Sequence, residues 1–212
     1  SPVANPTKII GVPQNYEEHA QETIIDTEIS HGAPRREMED QGLFLKANSA
    51  LIGPSDGVAV RFSDRRTDHE AELGVIISRA GSDISYDDAL SYVAGYAIAM
   101  DMVVRGKEDR SFRKSVDTYA VLGPWLVTAD EIDDPGQLDF VLTIDNEVRQ
   151  QNNTRNLILN LQGQIVWASK FYTLHPGDII MSGTCAGVGP VKPGDVMHLE
   201  FENIGAMDVP VR

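Results

Sequence analysis

Cysteine is nearly absent: Cys185 is the single one in 212 residues, so an internal disulfide cannot form and a cysteine-built zinc centre is excluded. Long apolar runs are missing as well, and no stretch approaches the roughly 20 residues that a membrane-spanning helix needs. The start, SPVANPTKII, shows no charged segment followed by an apolar one of the kind that directs secretion. These absences predict a cytoplasmic protein with no membrane partner. Positive charge is scarce too. Eighteen Lys and Arg stand against 32 Asp and Glu, a formal charge of −14, and such a surface repels phosphate backbones and anionic headgroups. No nucleic acid is expected as a partner. An acidic chain that handles an anionic small molecule must gather its basic residues in one place, and the densest group is Arg105, Lys107, Arg110, Arg113 and Lys114.

What is present is a globular composition, 42% hydrophobic and 24% charged, too apolar for a disordered chain. At this length one well-buried core is expected. NYEEHAQE (15–22) reads as a short helix capped by Asn15, with Gly32 and Pro34 breaking any longer one. Apolar patterning predicts strands within 44–53, 58–62, 71–78, 96–104, 121–128, 138–148, 178–183 and 196–205, with a hairpin turn at Asp145–Asn146. Ser85, followed three residues later by Asp88, opens a helix through DALSYVA that Gly95 closes. NLILNLQGQIVWASKFY (156–172) has helical spacing and is the longest helix candidate. Many strands with about three helices make the fold class α+β and strand-rich.

Three acids stand out. Side chains alternate along a strand, so in DHEAELGVII (68–77) Glu70 and Glu72 share one face, while His69 points to the other. Asp101 lies alone inside YAIAMDMVV. A buried carboxylate without a cation or donors costs several kcal/mol, so that run implies a partner for it. Three carboxylates without cysteine are the oxygen-rich set that a hard ion such as Mg²⁺ or Mn²⁺ prefers. His19 and Glu22, three apart, share a face if NYEEHAQE is helical, an arrangement that orients imidazole as a general base.

In order along the chain, FLKANSALIGP, DHEAELGVII, GYAIAMDM, RKSVDTYAVLGPWLVT, DNEVRQ and PGDIIMSGTCAGVGPVKPGD resemble the fumarylacetoacetate hydrolase family. The likeness is to its compact single-domain members, related to acylpyruvases, oxaloacetate decarboxylases and 2-hydroxyhepta-2,4-diene-1,7-dioate isomerases. The resemblance implies a mixed β-sheet roll, usually a homodimer. It divides the chain into an N-terminal arm and lid (1–43) and a catalytic body (44–212). It makes Glu70, Glu72 and Asp101 the metal ligands and places Lys114 beside the substrate's metal-bound oxygens. Thr184 and Gly183, in a glycine-rich turn, and Arg105 become substrate contacts. His19 and Glu22 fall on a lid that positions the attacking water. Three positions depart from the family pattern. The segment RGKEDRSFRK (105–114) is short and carries Glu108 where glutamine is usual, and Cys185 and Ala47 stand where proline is frequent.

The implied activity is metal-dependent hydrolysis of the C–C bond of a 2,4-dioxo acid, yielding pyruvate and a carboxylic acid. The substrate is a small-molecule 2-oxo or 2,4-dioxo acid. The alternatives are isomerisation of a 2-hydroxy-dienoate and decarboxylation of an oxaloacetate-like acid, which use the same metal but no attacking water. A purely structural metal site is the reading from another class, and it fits poorly, because three carboxylates leave coordination positions open.

Overall fold

The central strand follows from alternation. In AELGVII, Ala71, Leu73, Val75 and Ile77 enter the main hydrophobic core, while Glu72, Gly74 and Ile76 face the other way. The computed structural model describes residues 1–32, 36 and 38–212. In chain order its strands begin β1 (Ile9–Gly11), β2 (Phe44–Lys46), β3 (Leu51–Ile52), β4 (Thr67–His69), β5 (Ala71–Ile77), β6 (Val93–Asp101) and β7 (Val103–Val104). They continue with β8 (Ala120–Thr128), β9 (Asp139–Ile144), β10 (Glu147–Asn153), β11 (Ile179–Met181), β12 (Gly189–Pro190), β13 (Val196–Phe201) and β14 (Gly205–Pro210). The helices are α1 (Glu17–Ile25), α2 (Thr27–Ser30), α3 (Met38–Gln41), α4 (Arg110–Lys114) and α5 (Leu161–Phe171). None among the described residues is long and apolar enough to cross a membrane.

Seven strands form a mixed sheet in the order β2-β1-β11-β5-β6-β8-β3, four an antiparallel sheet β10-β9-β13-β14, and three a short sheet β12-β4-β7. The fold is strand-rich α+β. The main core fills the space between the large sheet, the four-stranded sheet and α5, with Leu73, Ile98, Leu142, Leu199 and Ile165 all buried there. Each such side chain contributes roughly 1.5–3 kcal/mol. A smaller cluster of Ile9, Ile76, Ala97, Ala99, Leu122 and Ile179 covers the opposite face. Residue 43 marks no seam in the packing, because β1 lies inside the large sheet between β2 and β11.

Several elements differ from the sequence reading. Val58–Phe62 is not a strand: Val58 makes one isolated bridge to Val211, and Val60 N donates to the Arg212 carbonyl. Ser85 and Asp88 do bond each other, Oγ to Oδ2 at 2.7 Å, but the element after them is a 3-10 turn over Ala89–Tyr92. Gly95 lies inside β6 and closes no helix. The hairpin at Asp145–Asn146 forms with both residues at positive φ, 53° and 63°, the type I′ geometry whose twist matches the flanking strands. Pro34 lies outside the described residues.

Candidate active site

Register brings the three acids together. Glu72 stands opposite Ala99 across β5 and β6, and the Asp101 amide donates to the Glu70 carbonyl at 2.9 Å. Glu70, Glu72 and Asp101 each offer a carboxylate oxygen, these lie within 4.8 Å of one another, and all three residues are buried. β6 ends at Asp101 and β7 resumes at Val103. The predicted single strand is therefore broken where its acid turns to the cluster, and the apolar residues around it stay in the core.

Three cations face the acids. Lys46 at the end of β2 donates to Asp101 Oδ1. Lys114, the last residue of α4, donates to Glu70 Oε2 and, at 2.6 Å, to Asp101 Oδ2. Arg105 Nη2 donates to Glu70 Oε1 at 3.1 Å, and its Nε to Asp68 Oδ2 at 2.8 Å. Burial alone would raise the Glu70 carboxyl, but Lys114 and Arg105 overcome it and hold the pKa near about 2. Burial pulls the Lys46 ammonium below the usual lysine range. Glu72 differs. Buried and repelled by Asp101, it is pushed well above the ordinary carboxylate range, and the hydrogen bond it receives comes from the Gly183 amide at 2.8 Å.

This donor set fits a divalent ion. All three are hard oxygen donors, and among the described residues Glu72 forms no ion pair, so a Mg²⁺ or Mn²⁺ ion would relieve the repulsion that raises its pKa. Glu70, Glu72 and Asp101 are the residues that could hold it. His69 turns to the opposite face, as alternation predicted, and its Nδ1 pairs with Gln150 Oε1 at 3.1 Å.

Above the acids lies a cavity of about 530 Å³ whose lining includes His19, Arg105, Arg110, Lys114 and Thr184. His19 is 5% exposed. Its Nδ1 lies 2.8 Å from Glu22 Oε2, and the other Glu22 oxygen accepts from the Gly187 amide at 2.9 Å. A carboxylate thus fixes both the ring and the docking of α1 on the glycine-rich turn. Asn15 is not the helix cap: Tyr16 holds that position without a side-chain bond. Instead Asn15 Nδ2 donates to the Ser182 carbonyl at 2.7 Å and to the Leu159 carbonyl at 3.0 Å, tying the arm down. Gly183, at φ +99°, permits this, because a Cβ there would fall 2.5 Å from the Asn15 Cβ.

The turn supplies fewer outward donors than expected. The Gly183 amide serves Glu72, and Thr184 Oγ1 donates to the Ala71 carbonyl at 2.9 Å while accepting from Gln150 Nε2 at 2.7 Å. Gln150 is a residue the sequence reading missed, as are Lys46 and the fully buried Asp68, which sits between Arg66 and Arg105. Cys185 is buried, its thiol pKa pushed up to about 12 chiefly by burial, which leaves it inert as a nucleophile.

A mixed sheet whose edge-to-centre strands carry a buried triple-carboxylate platform, with a cationic wall and a docked His-Glu helix, defines a metal-assisted enzyme of small anionic substrates. The model for the fumarylacetoacetate (FAA) hydrolase C-terminal domain matches residues 8–212, and the chain belongs to that family. It is 53% identical over 214 residues to maleylpyruvate hydrolase of Aquipseudomonas alcaligenes, covering 100% of this chain and 75% of that protein. A mitochondrial oxaloacetate tautomerase of Xenopus laevis is 35% identical, over 100% of this chain and 67% of its own. Among solved structures, maleylpyruvate hydrolase from Sphingobium sp. SYK-6, in complex with manganese(II) ion and pyruvate, matches with a TM-score of 0.83 and 42% identity. That match covers 97% of this chain and 70% of the other.

Proposed function

We propose that this chain is a divalent-metal-dependent hydrolase that splits the C–C bond of a 2,4-dioxo acid, of the acylpyruvate or fumarylpyruvate type, into pyruvate and a carboxylic acid. The observation that carries the reading is His19, locked by Glu22 onto the cavity that holds the acid cluster. The similarity to maleylpyruvate hydrolases, one of them holding manganese(II) and pyruvate, supports it. Glu70, Glu72 and Asp101 would hold the Mg²⁺ or Mn²⁺ ion. When bound, the ion supplies Lewis-acid stabilisation of the charge that develops on the 2-oxo acid unit.

With its Nδ1 proton engaged by Glu22, His19 presents Nε2 as the acceptor that takes a proton from water. The water oxygen adds to C4, the C3–C4 bond breaks, and its electron pair stays with the pyruvate fragment while C4 leaves as the carboxylic acid. Lys114 Nζ, held between Glu70 and Asp101, stabilises the developing negative charge and returns a proton to C3. Arg105 and Thr184 flank the 2-oxo acid, and Gly183 acts through Glu72. Isomerisation or decarboxylation needs no attacking water, so a base held to activate water favours hydrolysis. Residues 1–43 form the arm and lid, and the protein works as a cytoplasmic homodimer. The exposed Ile25, Phe112 and Phe171 leave apolar surface that a second copy can cover.

The test is Glu22→Gln. Loss of roughly 10²-fold or more in acylpyruvate turnover is expected, with Mn²⁺ affinity by calorimetry kept within about twofold of wild type, since Glu22 touches no acid of the cluster. Unchanged turnover in this variant would sink the hydrolase reading.

A further inference from the structure

Arg36, Lys107 and Arg110 line the cavity and take no part in the reaction at the 2,4-dioxo unit; Arg36 and Lys107 are exposed, whereas Arg110 is half-buried. Lys114 is engaged by Glu70 and Asp101, and Arg105 by Asp68 and Glu70. Arg113 donates to the backbone carbonyls of Glu108 at 2.8 Å and Val104 at 3.4 Å. Arg110 has no acid. It lines the cavity four residues before Lys114 on α4, so the two share a helix face. Its guanidinium carbon lies 5.5 Å from the Phe44 ring centroid, and the Lys114 ammonium lies 5.3 Å from the same centroid. Both cations therefore pack near the same ring. Among the described residues, Arg110 makes one hydrogen bond, to the neutral Gln41 Oε1 at 2.7 Å.

That anchor is itself held. Gln41 Nε2 donates to Gln14 Oε1 at 2.6 Å, and Gln14 Nε2 to Thr23 Oγ1 on α1 at 2.9 Å. An amide relay therefore fixes the guanidinium without neutralising it, and burial pulls its pKa below the usual arginine range. Four of its five N–H donors remain available in a fork that matches a carboxylate. Of the acids that act on it, Glu70 and Asp101 are already paired with Lys46, Lys114 and Arg105, so the half-buried guanidinium gains from an arriving anion.

Resting on the hydrolase reading above, we propose that Arg110 receives a second carboxylate, at the far end of the acyl arm, and that the substrate is a dicarboxylic 2,4-dioxo acid. The experiment uses the full chain loaded with Mn²⁺ and measures kcat/KM for a diacid (maleylpyruvate) and a methyl-ended analogue (acetylpyruvate). Wild type is expected to favour the diacid. Arg110→Gln lowers the diacid-to-neutral ratio roughly 10- to 100-fold, mainly through KM, as expected for a lost charge-assisted pair. Arg110→Lys, which keeps the charge and loses the fork, falls between. A ratio within twofold of wild type in Arg110→Gln overturns the proposal. Calorimetric binding of 2-oxoadipate and 2-oxohexanoate reads the same preference without turnover: its loss in the variant supports the assignment, and its retention overturns it. Should wild type cleave neither dioxo acid, the hydrolase reading fails, and the binding pair alone decides the role of Arg110.

Discussion

Lys46 shows what a single residue does in this site. Its side chain is fully buried and its ammonium is bound to Asp101, which leaves the metal-free cluster close to balanced. Lys46→Met removes that charge and leaves Asp101 Oδ1 buried without its cation, with Lys114 alone on the other oxygen, so the metal-free variant should lose about 3 kcal/mol of stability. A divalent ion supplies the missing charge, and added Mn²⁺ should recover much of the loss. Thermal unfolding with and without Mn²⁺ checks this, and equal losses in both conditions would refute it. The acids were legible because their signals are local: alternation aligns Glu70 with Glu72, and Asp101 is conspicuous in an apolar run. The spacing of His19 and Glu22 is local as well. Lys46 reaches an acid 55 residues away, Gln150 reaches Thr184 34 residues away, and Asn15 reaches Ser182 167 residues away. Nothing near these residues in the chain announces those pairings. Lys46, read locally, is an ordinary lysine at the end of a three-residue strand.

At the scale of elements, β1 is joined to the sheet partly by one carboxylate. Asp178, just before β11, accepts from Thr7 Oγ1 at 2.6 Å and the Lys8 amide at 3.0 Å through one oxygen. The other oxygen accepts from Lys8 Nζ at 2.6 Å and the His175 amide at 2.7 Å. Burial alone would raise its pKa, but these donors overcome it and hold the carboxyl below the usual range. A carboxylate depressed in the folded state contributes stability that is complete above its unfolded pKa, about 3.9, and is lost as pH falls through the folded value. Asp178→Asn should therefore cost about 2–3 kcal/mol at neutral pH, and the gap in Tm between wild type and variant should close as pH is lowered toward 3. A gap independent of pH would show that the carboxylate charge is not what matters. Element boundaries were least legible where tertiary partners decide them. The Ser85–Asp88 box forms but starts no α-helix, because Val93 onward is recruited into β6 beside β5. Val58 finds only the chain's last residues, and Met102 interrupts a run that patterning makes continuous.

At the scale of the whole molecule, the −14 charge and the buried acids raise the question of whether a metal holds the fold or serves the chemistry. Lys46, Lys114 and Arg105 already oppose Glu70 and Asp101, and a raised pKa lets Glu72 shed its charge by taking a proton. The metal-free cluster can therefore persist in a folded chain whose main core lies on the opposite face of β5 from Glu72. Removing an ion held at 100 times its Kd forfeits about 2.7 kcal/mol, roughly 5–10 °C in Tm for a chain of this size. EDTA is expected to abolish cleavage of acylpyruvates while lowering Tm by no more than that, with activity returning on addition of Mg²⁺ or Mn²⁺. Because burial and Asp101 raise the Glu72 pKa, ion entry should also release protons over the pH range in which Glu72 still holds one. Titrations in buffers of different ionisation enthalpy read that release directly. Collapse of the fold on chelation, with no proton release on rebinding, would instead make the ion a structural one.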